Sequence, residues 1–204
     1  MTVTAAATGT DRTDFRNVLI SGTKTGFITA AAVVAFLVLA RLLPIGMPRH
    51  GVLTLVALVA GVAASFLPAR WVAARQTEGI AGAAAAGLWG TIVFMAIDII
   101  LLRPFKAYPW TWDAIGGGST WWYLPICWML GTFLAWMGAI VTAGQAARGE
   151  PTLARTAGPV VIGTVVVVTI ARLAGLSFTL PFEAGIGYTV VLALAAVVTL
   201  ARKS

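Results

Sequence analysis

Residues 80–102 read IAGAAAAGLWGTIVFMAIDIILL, a run of twenty-three positions in which Asp98 is the single charge. A helix rises about 1.5 Å per residue, so roughly 20 apolar residues cross a ~30 Å hydrocarbon core. The stretch therefore reads as a membrane-spanning helix with one acid inside it. Outward from it lie five more such runs, at 26–43, 51–67, from 121 or 123 to 143, 159–176 and 182–200. Pro68 closes the second. The segment RPFKAYPWTWDAIGGGST, 103–120, is broken twice by proline and once by three glycines, which excludes continuous helix there. GQAARGEPTLARTAG, 144–158, reads as a polar turn. The expected fold is all-α: a polytopic transmembrane bundle of about six helices, with 1–25 a polar cytoplasmic tail that can include an interfacial start to helix 1, and 26–204 the six-span domain.

Composition agrees. Hydrophobic residues fill 59% of the 204 positions and charged residues 10%, against about 45–50% and about 25% in ordinary soluble domains. The net charge of +7 would suggest nucleic acid in a soluble chain, but here the basic residues stand between apolar runs, which points to membrane orientation. The run 26–43 is longer than a 7–15-residue signal core and ends in Arg-Leu-Leu-Pro rather than small residues, so it reads as a retained first span. With the amino terminus cytoplasmic, that side holds Arg12, Arg16, Lys24, Arg70, Arg75, Arg148, Arg155, Arg202 and Lys203. The other side holds Arg41, Arg49, Arg103, Lys106 and Arg172. Nine against five favours both termini inside, in a multi-pass protein of a bacterial plasma membrane.

A weak pattern runs through the odd spans, which end in LARLLP, ILLRPF and IARLAG, each followed by a proline within about ten residues. Three duplicated hairpins would leave this trace. Asp98 shares a helical face with Gly87 and Thr91 and should point into the bundle. A charge at the bilayer centre costs about 2.5–3.5 kcal/mol on insertion scales. Its expected partner is Arg172 of span 5 or Arg41 of span 1.

Small residues recur at intervals of four in span 3, as Gly82, Ala86 and Gly90 and as Gly79, Ala83 and Gly87. Such stripes admit close backbone approach and make this helix central. Cys127, Gly131, Ala135, Gly138 and Thr142 give span 4 a matching side, so spans 3 and 4 should pack tightly. Tyr108, Trp110, Trp112, Trp121, Trp122 and Tyr123 cluster around the third loop, where amphipathic rings sit at head-group level, and the loop itself could lie as a short lid over the bundle. Trp121, Trp128 and Trp136 form a stripe suited to lipid, a partner subunit or a flat ligand such as a quinone or pigment.

No chemistry-bearing constellation emerges. His50 stands alone in a short polar loop and Cys127 alone in an apolar run, so neither a metal centre nor a nucleophile set can be assembled. Gly116 to Gly118 lack the strand and helix of a dinucleotide fingerprint. The expected function is that of a non-enzymatic accessory or scaffold subunit, needing no cofactor, in contact with the bilayer and with other membrane subunits or itself, and not with nucleic acid. The alternative is a small transporter or channel using Asp98 with Arg172 or Arg41; a membrane enzyme acting on lipid or quinone is a more distant third.

Overall fold

The computed structural model describes residues 11–102, 123–176 and 178–202. They form six helices, α1 (Phe15–Leu42), α2 (Met47–Trp71), α3 (Thr77–Ile97), α4 (Tyr123–Ala146), α5 (Leu153–Leu173) and α6 (Leu180–Ala201). A π-helical turn, Asp98–Leu102, prolongs α3. All six helices are long and apolar enough to cross a membrane. Only 17–39% of each spanning window is buried inside the protein, and Phe27, Leu55, Ile162 and Leu194 stand exposed. A surface that apolar is at rest only among acyl chains, where a helix also meets the demand that every backbone polar group be satisfied internally.

Several helices extend past their expected limits, each for a local reason. α1 begins at Phe15, eleven residues before the apolar run, because the Asp14 carboxylate accepts from the Asn17 N–H at 3.2 Å and caps it. Residues 15–25, expected in the polar tail, are thus helical, and Ser21, Gly22 and Thr25 among them are buried. Lys24 places its ammonium 5.7 Å from the centroid of the Trp71 ring, within cation–π range. α2 takes in Pro48 at its first turn, where a missing N–H is no loss, so Arg49 and His50 are helical rather than looped. Pro68 lies inside α2 instead of closing it. Thr152 caps α5, which makes Pro159 an interior residue.

Two helix ends show why a glycine is needed at one kind of position. α5 closes with Leu176 N–H to Ala171 C=O at 3.0 Å and Gly175 N–H to Arg172 C=O at 3.0 Å, with Gly175 at φ 84°. α2 closes the same way, Ala74 N–H to Ala69 C=O at 2.8 Å, but puts Ala73 at φ 52°, where a Cβ is strained.

The core is a triangle of even-numbered helices. Phe66 of α2, Ile140 and Val141 of α4 and Tyr188 and Leu192 of α6 form its buried cluster, joined by Val160 of α5. α2 touches all five other helices, while α3, which the small-residue stripes made central, forms the two most extensive helix pairs, with α1 and with α4. α1 and α3 pack on one flank of this triangle and on each other, while α5 leans on α6 with slight contact to α2 and α4. The odd helices therefore do not form the ring that three equivalent hairpins would build.

Glycines set the tightest approaches. A Cβ at Gly22 would lie 2.7 Å from the Ala86 carbonyl, one at Gly26 2.7 Å from the Gly90 carbonyl, and one at Gly90 2.9 Å from the Gly22 carbonyl. The Gly82, Ala86 and Gly90 stripe faces α1 and the segment before it. Gly87 turns the other way, where a Cβ would lie 2.5 Å from that of Ala135 and 2.8 Å from the Gly131 carbonyl of α4. Two faces of one helix, at Gly90 and at Gly87, thus meet two neighbours, as small residues do in lipid.

Candidate functional site

Two carboxylates among the described residues mark two places at the end of the bundle opposite the amino terminus. In the first, Arg172 near the end of α5 donates through Nε to Glu183 Oε2 at 2.6 Å, and the Phe178 backbone N–H donates to Oε1 of the same carboxylate at 2.6 Å. The Glu183 side chain is 6% exposed and that of Arg172 39%. This clamp joins α5, the connection and the first turn of α6, where a carboxylate also suits the helix dipole. Arg172 therefore has Glu183 as its carboxylate partner, not Asp98, because α5 stands on the far side of the α2, α4 and α6 triangle from α3. Glu183 escaped the sequence reading; its signal was an acid one position into span 6, eleven residues after a membrane-depth arginine.

Asp98 forms the second place. It is fully buried, opens the π-helical turn, and its N–H is shared between the Met95 and Phe94 carbonyls. Single π-turns inside helices are frequent at functional positions. Neither Asp98 nor Arg41 is without an interaction partner. One turn before Asp98 lies a hollow of about 160 Å³ among α1 to α4, lined by Thr25, Thr29, Thr91, Phe94, Cys127 and Gly131. The three threonine hydroxyls each donate to the carbonyl four residues back, at 2.9 Å. What they keep for the hollow is acceptor lone pairs.

Trp128 and Trp136 are 39% and 47% exposed and line a shallow groove of about 610 Å³ on α3 and α4 with Leu88, Met129 and Phe133. Trp110, Trp112, Trp121 and Trp122, with Tyr108 and the expected lid over 104–122, lie outside the described residues. Trp89, not singled out from sequence, donates its indole N–H to Thr23 Oγ1 at 3.0 Å and so ties α3 to α1. In the core, Tyr188 is 3% exposed. Its hydroxyl lies beside Ser65, whose proton goes to the Gly61 carbonyl, and it makes no hydrogen bond among the described residues.

At the amino-terminal end, Asp11 is a residue the sequence did not flag. Its carboxylate accepts from the backbone N–H groups of Arg75, Gln76 and Gly79 at 3.0, 3.0 and 2.9 Å, while Arg12 N–H donates to the Val72 carbonyl at 2.8 Å. A distant side chain thus caps α3. Gly79 leaves the room, since a Cβ there would lie 2.5 Å from Asp11 Oδ2. Asp11→Ala should cost about 1 kcal/mol, as lost caps do. It should lower the thermal midpoint in detergent and speed tryptic cleavage after Arg12, and Asp11→Asn should fall between the two.

Fold and site together define a six-helix integral membrane bundle in which most buried polar groups are engaged at helix ends and interfaces, Tyr188 Oη and Arg49 Nε being exceptions among the described residues. Comparisons with protein-family models, curated proteins and solved structures give no match. Among the described residues no group of three or more His, Cys, Asp or Glu converges as a metal site would require.

Proposed function

We propose that this chain is a non-enzymatic subunit or scaffold of a larger membrane assembly, of an energy-converting or transport kind, set in a bacterial plasma membrane with both termini cytoplasmic. The observation that carries this reading is the Trp128 and Trp136 groove. Two half-exposed indoles over a broad, shallow apolar trough on α3 and α4 suit the side of another transmembrane helix, which large flat rings grip through packing. The interior supports it. Helix contacts at Gly22, Gly26, Gly87, Gly90 and Gly131 run backbone against backbone, which favours a rigid body over a moving one.

Intact mass measured after gentle extraction from the native membrane tests the proposal. Unlike chains travelling with this one support it, and their loss in a Trp128→Ala, Trp136→Ala variant ties them to the groove. A homo-oligomer that exchanges solute in reconstituted vesicles overturns it.

A second reading, a small transporter, rests on Asp98 buried in its π-turn beside the hydroxyl-lined hollow. Arg172 takes no part in it. Asp98→Asn separates the readings: unaltered assembly with abolished vesicle flux supports transport, whereas a fall in folded yield, with no flux in the parent protein, supports structural use of the acid.

A further inference from the structure

Where α5 stands off from α2, near the Arg172 end, the bundle leaves a slot of about 360 Å³ lined by Thr54 and Leu58 of α2, Val165, Thr169 and Arg172 of α5 and Ala184 of α6. Its buried limit is Thr164, 1% exposed. From Arg172 to Thr164 is about 12 Å along the helix at 1.5 Å per residue. Apart from Thr164, whose hydroxyl donates to the Val160 carbonyl at 2.8 Å, the polar groups gather toward one end. Arg172, Thr169 and Thr54 stand nearer the helix termini, whereas Leu58, Val165 and Thr164 lie deeper.

The guanidinium at the mouth is only partly used. Of its five N–H donors, the one on Nε goes to Glu183, and no protein partner takes the other four among the described residues. The two threonines cannot serve as donors in their place: Thr54 donates to the His50 carbonyl and Thr169 to the Val165 carbonyl, each at 2.7 Å. An arginine fork matches phosphate oxygens, and the walls below it match a hydrocarbon chain. Both requirements meet in one molecule of the surrounding solvent.

We propose that this slot holds one phospholipid of the adjoining leaflet, its phosphodiester on the free Arg172 donors and one acyl chain between α2, α5 and α6. The site is separate from the Trp groove and from Asp98, so it stands whichever function the chain serves. Because Glu183 already offsets the arginine charge, recognition rests on directed N–H donors together with the chain, not on net charge alone.

The test uses the full chain, delipidated in detergent, with dioleoylphosphatidylglycerol as probe and native mass spectrometry as readout. One lipid should stay bound per chain. Dioleoylglycerol, with the same chains and no phosphate, should bind at least about tenfold more weakly, a loss of the order expected when a charge-assisted fork goes unused. Val165→Phe fills the slot from a position 55% exposed and should abolish retention while leaving the lipid-free melting temperature unchanged; Thr169→Phe is the second plug, should the first variant not fold. Glycerol phosphate should fail to displace the lipid. Absence of a retained lipid, equal retention of the two probes, or retention unaffected by both plugs overturns the proposal. Displacement by glycerol phosphate also overturns it, by showing a head-group site with no part for the chain.

Discussion

Gly131→Leu will abolish the monodisperse bundle, while Gly185→Ala, on a neighbouring helix of equal length class, will raise its melting temperature. The opposite signs follow from what surrounds each backbone. A Cβ at Gly131 would overlap Thr91 Oγ1, and across the same contact one at Gly87 would lie 2.5 Å from the Ala135 Cβ and 2.8 Å from the Gly131 carbonyl. α3 and α4 meet here as two backbones, so a leucine can be admitted only by separating helices. Overpacking of a tight interior costs about 1–3 kcal/mol and occasionally more, and here the interface that would have to open also walls the hollow beside Asp98. At Gly185 nothing lies within 4 Å of the added carbon, so the alanine gains only its better helix propensity, about 0.5–1 kcal/mol. Size-exclusion profiles and thermal melts in one detergent read both outcomes. Gly131→Ala should fall between them, and Thr91→Ala should partly restore it by removing the obstructing hydroxyl; failure of that rescue would mean the contact at Thr91 does not limit the approach.

The spans were legible because lipid imposes a coarse requirement, some twenty uncharged residues in a row, that needs no partner to be recognised. The helix ends were not. Phe15 to Thr25 read as tail since Lys24 and the hydroxyls lower local hydropathy, yet that stretch buries Ser21, Gly22 and Thr25, the last two against α3, and Gly22-Thr-Lys-Thr-Gly26 carries the small-residue spacing that α1 uses there. Charge hid the spacing. Pairing failed for a different reason. Arg172 and Asp98 look matched in depth, but depth is a one-dimensional coordinate and which helices are neighbours is not encoded in it. With the even helices forming the triangle, α5 and α3 fall on opposite flanks, and the closer acid, Glu183, takes the arginine. Asp11 was hidden in the same way, since a cap supplied from 64 residues away in sequence leaves no local motif. The small-residue stripes of α3 and α4 were readable because a helix face is fixed by periodicity alone.

Arg172→Ala should bring a steep loss of folded protein, and the double variant Arg172→Ala, Glu183→Ala should recover most of it. The single change leaves a carboxylate that is 6% exposed facing apolar neighbours with only the Phe178 N–H as partner, and breaking a buried pair from one side costs more than removing both members. Glu183→Gln should be milder, because its amide oxygen still accepts one hydrogen bond and the charge left unpaired is that of Arg172, whose side chain is 39% exposed. The order of thermal midpoints is therefore parent, then Glu183→Gln near the double variant, with Arg172→Ala lowest. That order also separates two uses of the arginine. Stability depends on the pair, which the double variant removes cleanly, whereas phospholipid retention depends on the four donors that do not face Glu183. A double variant that melts near Glu183→Gln yet no longer holds dioleoylphosphatidylglycerol would assign the fold to the ion pair and the lipid to the free side of the guanidinium. One that stays unfolded would show that the arginine supports the α5 and α6 hairpin by contacts beyond its carboxylate.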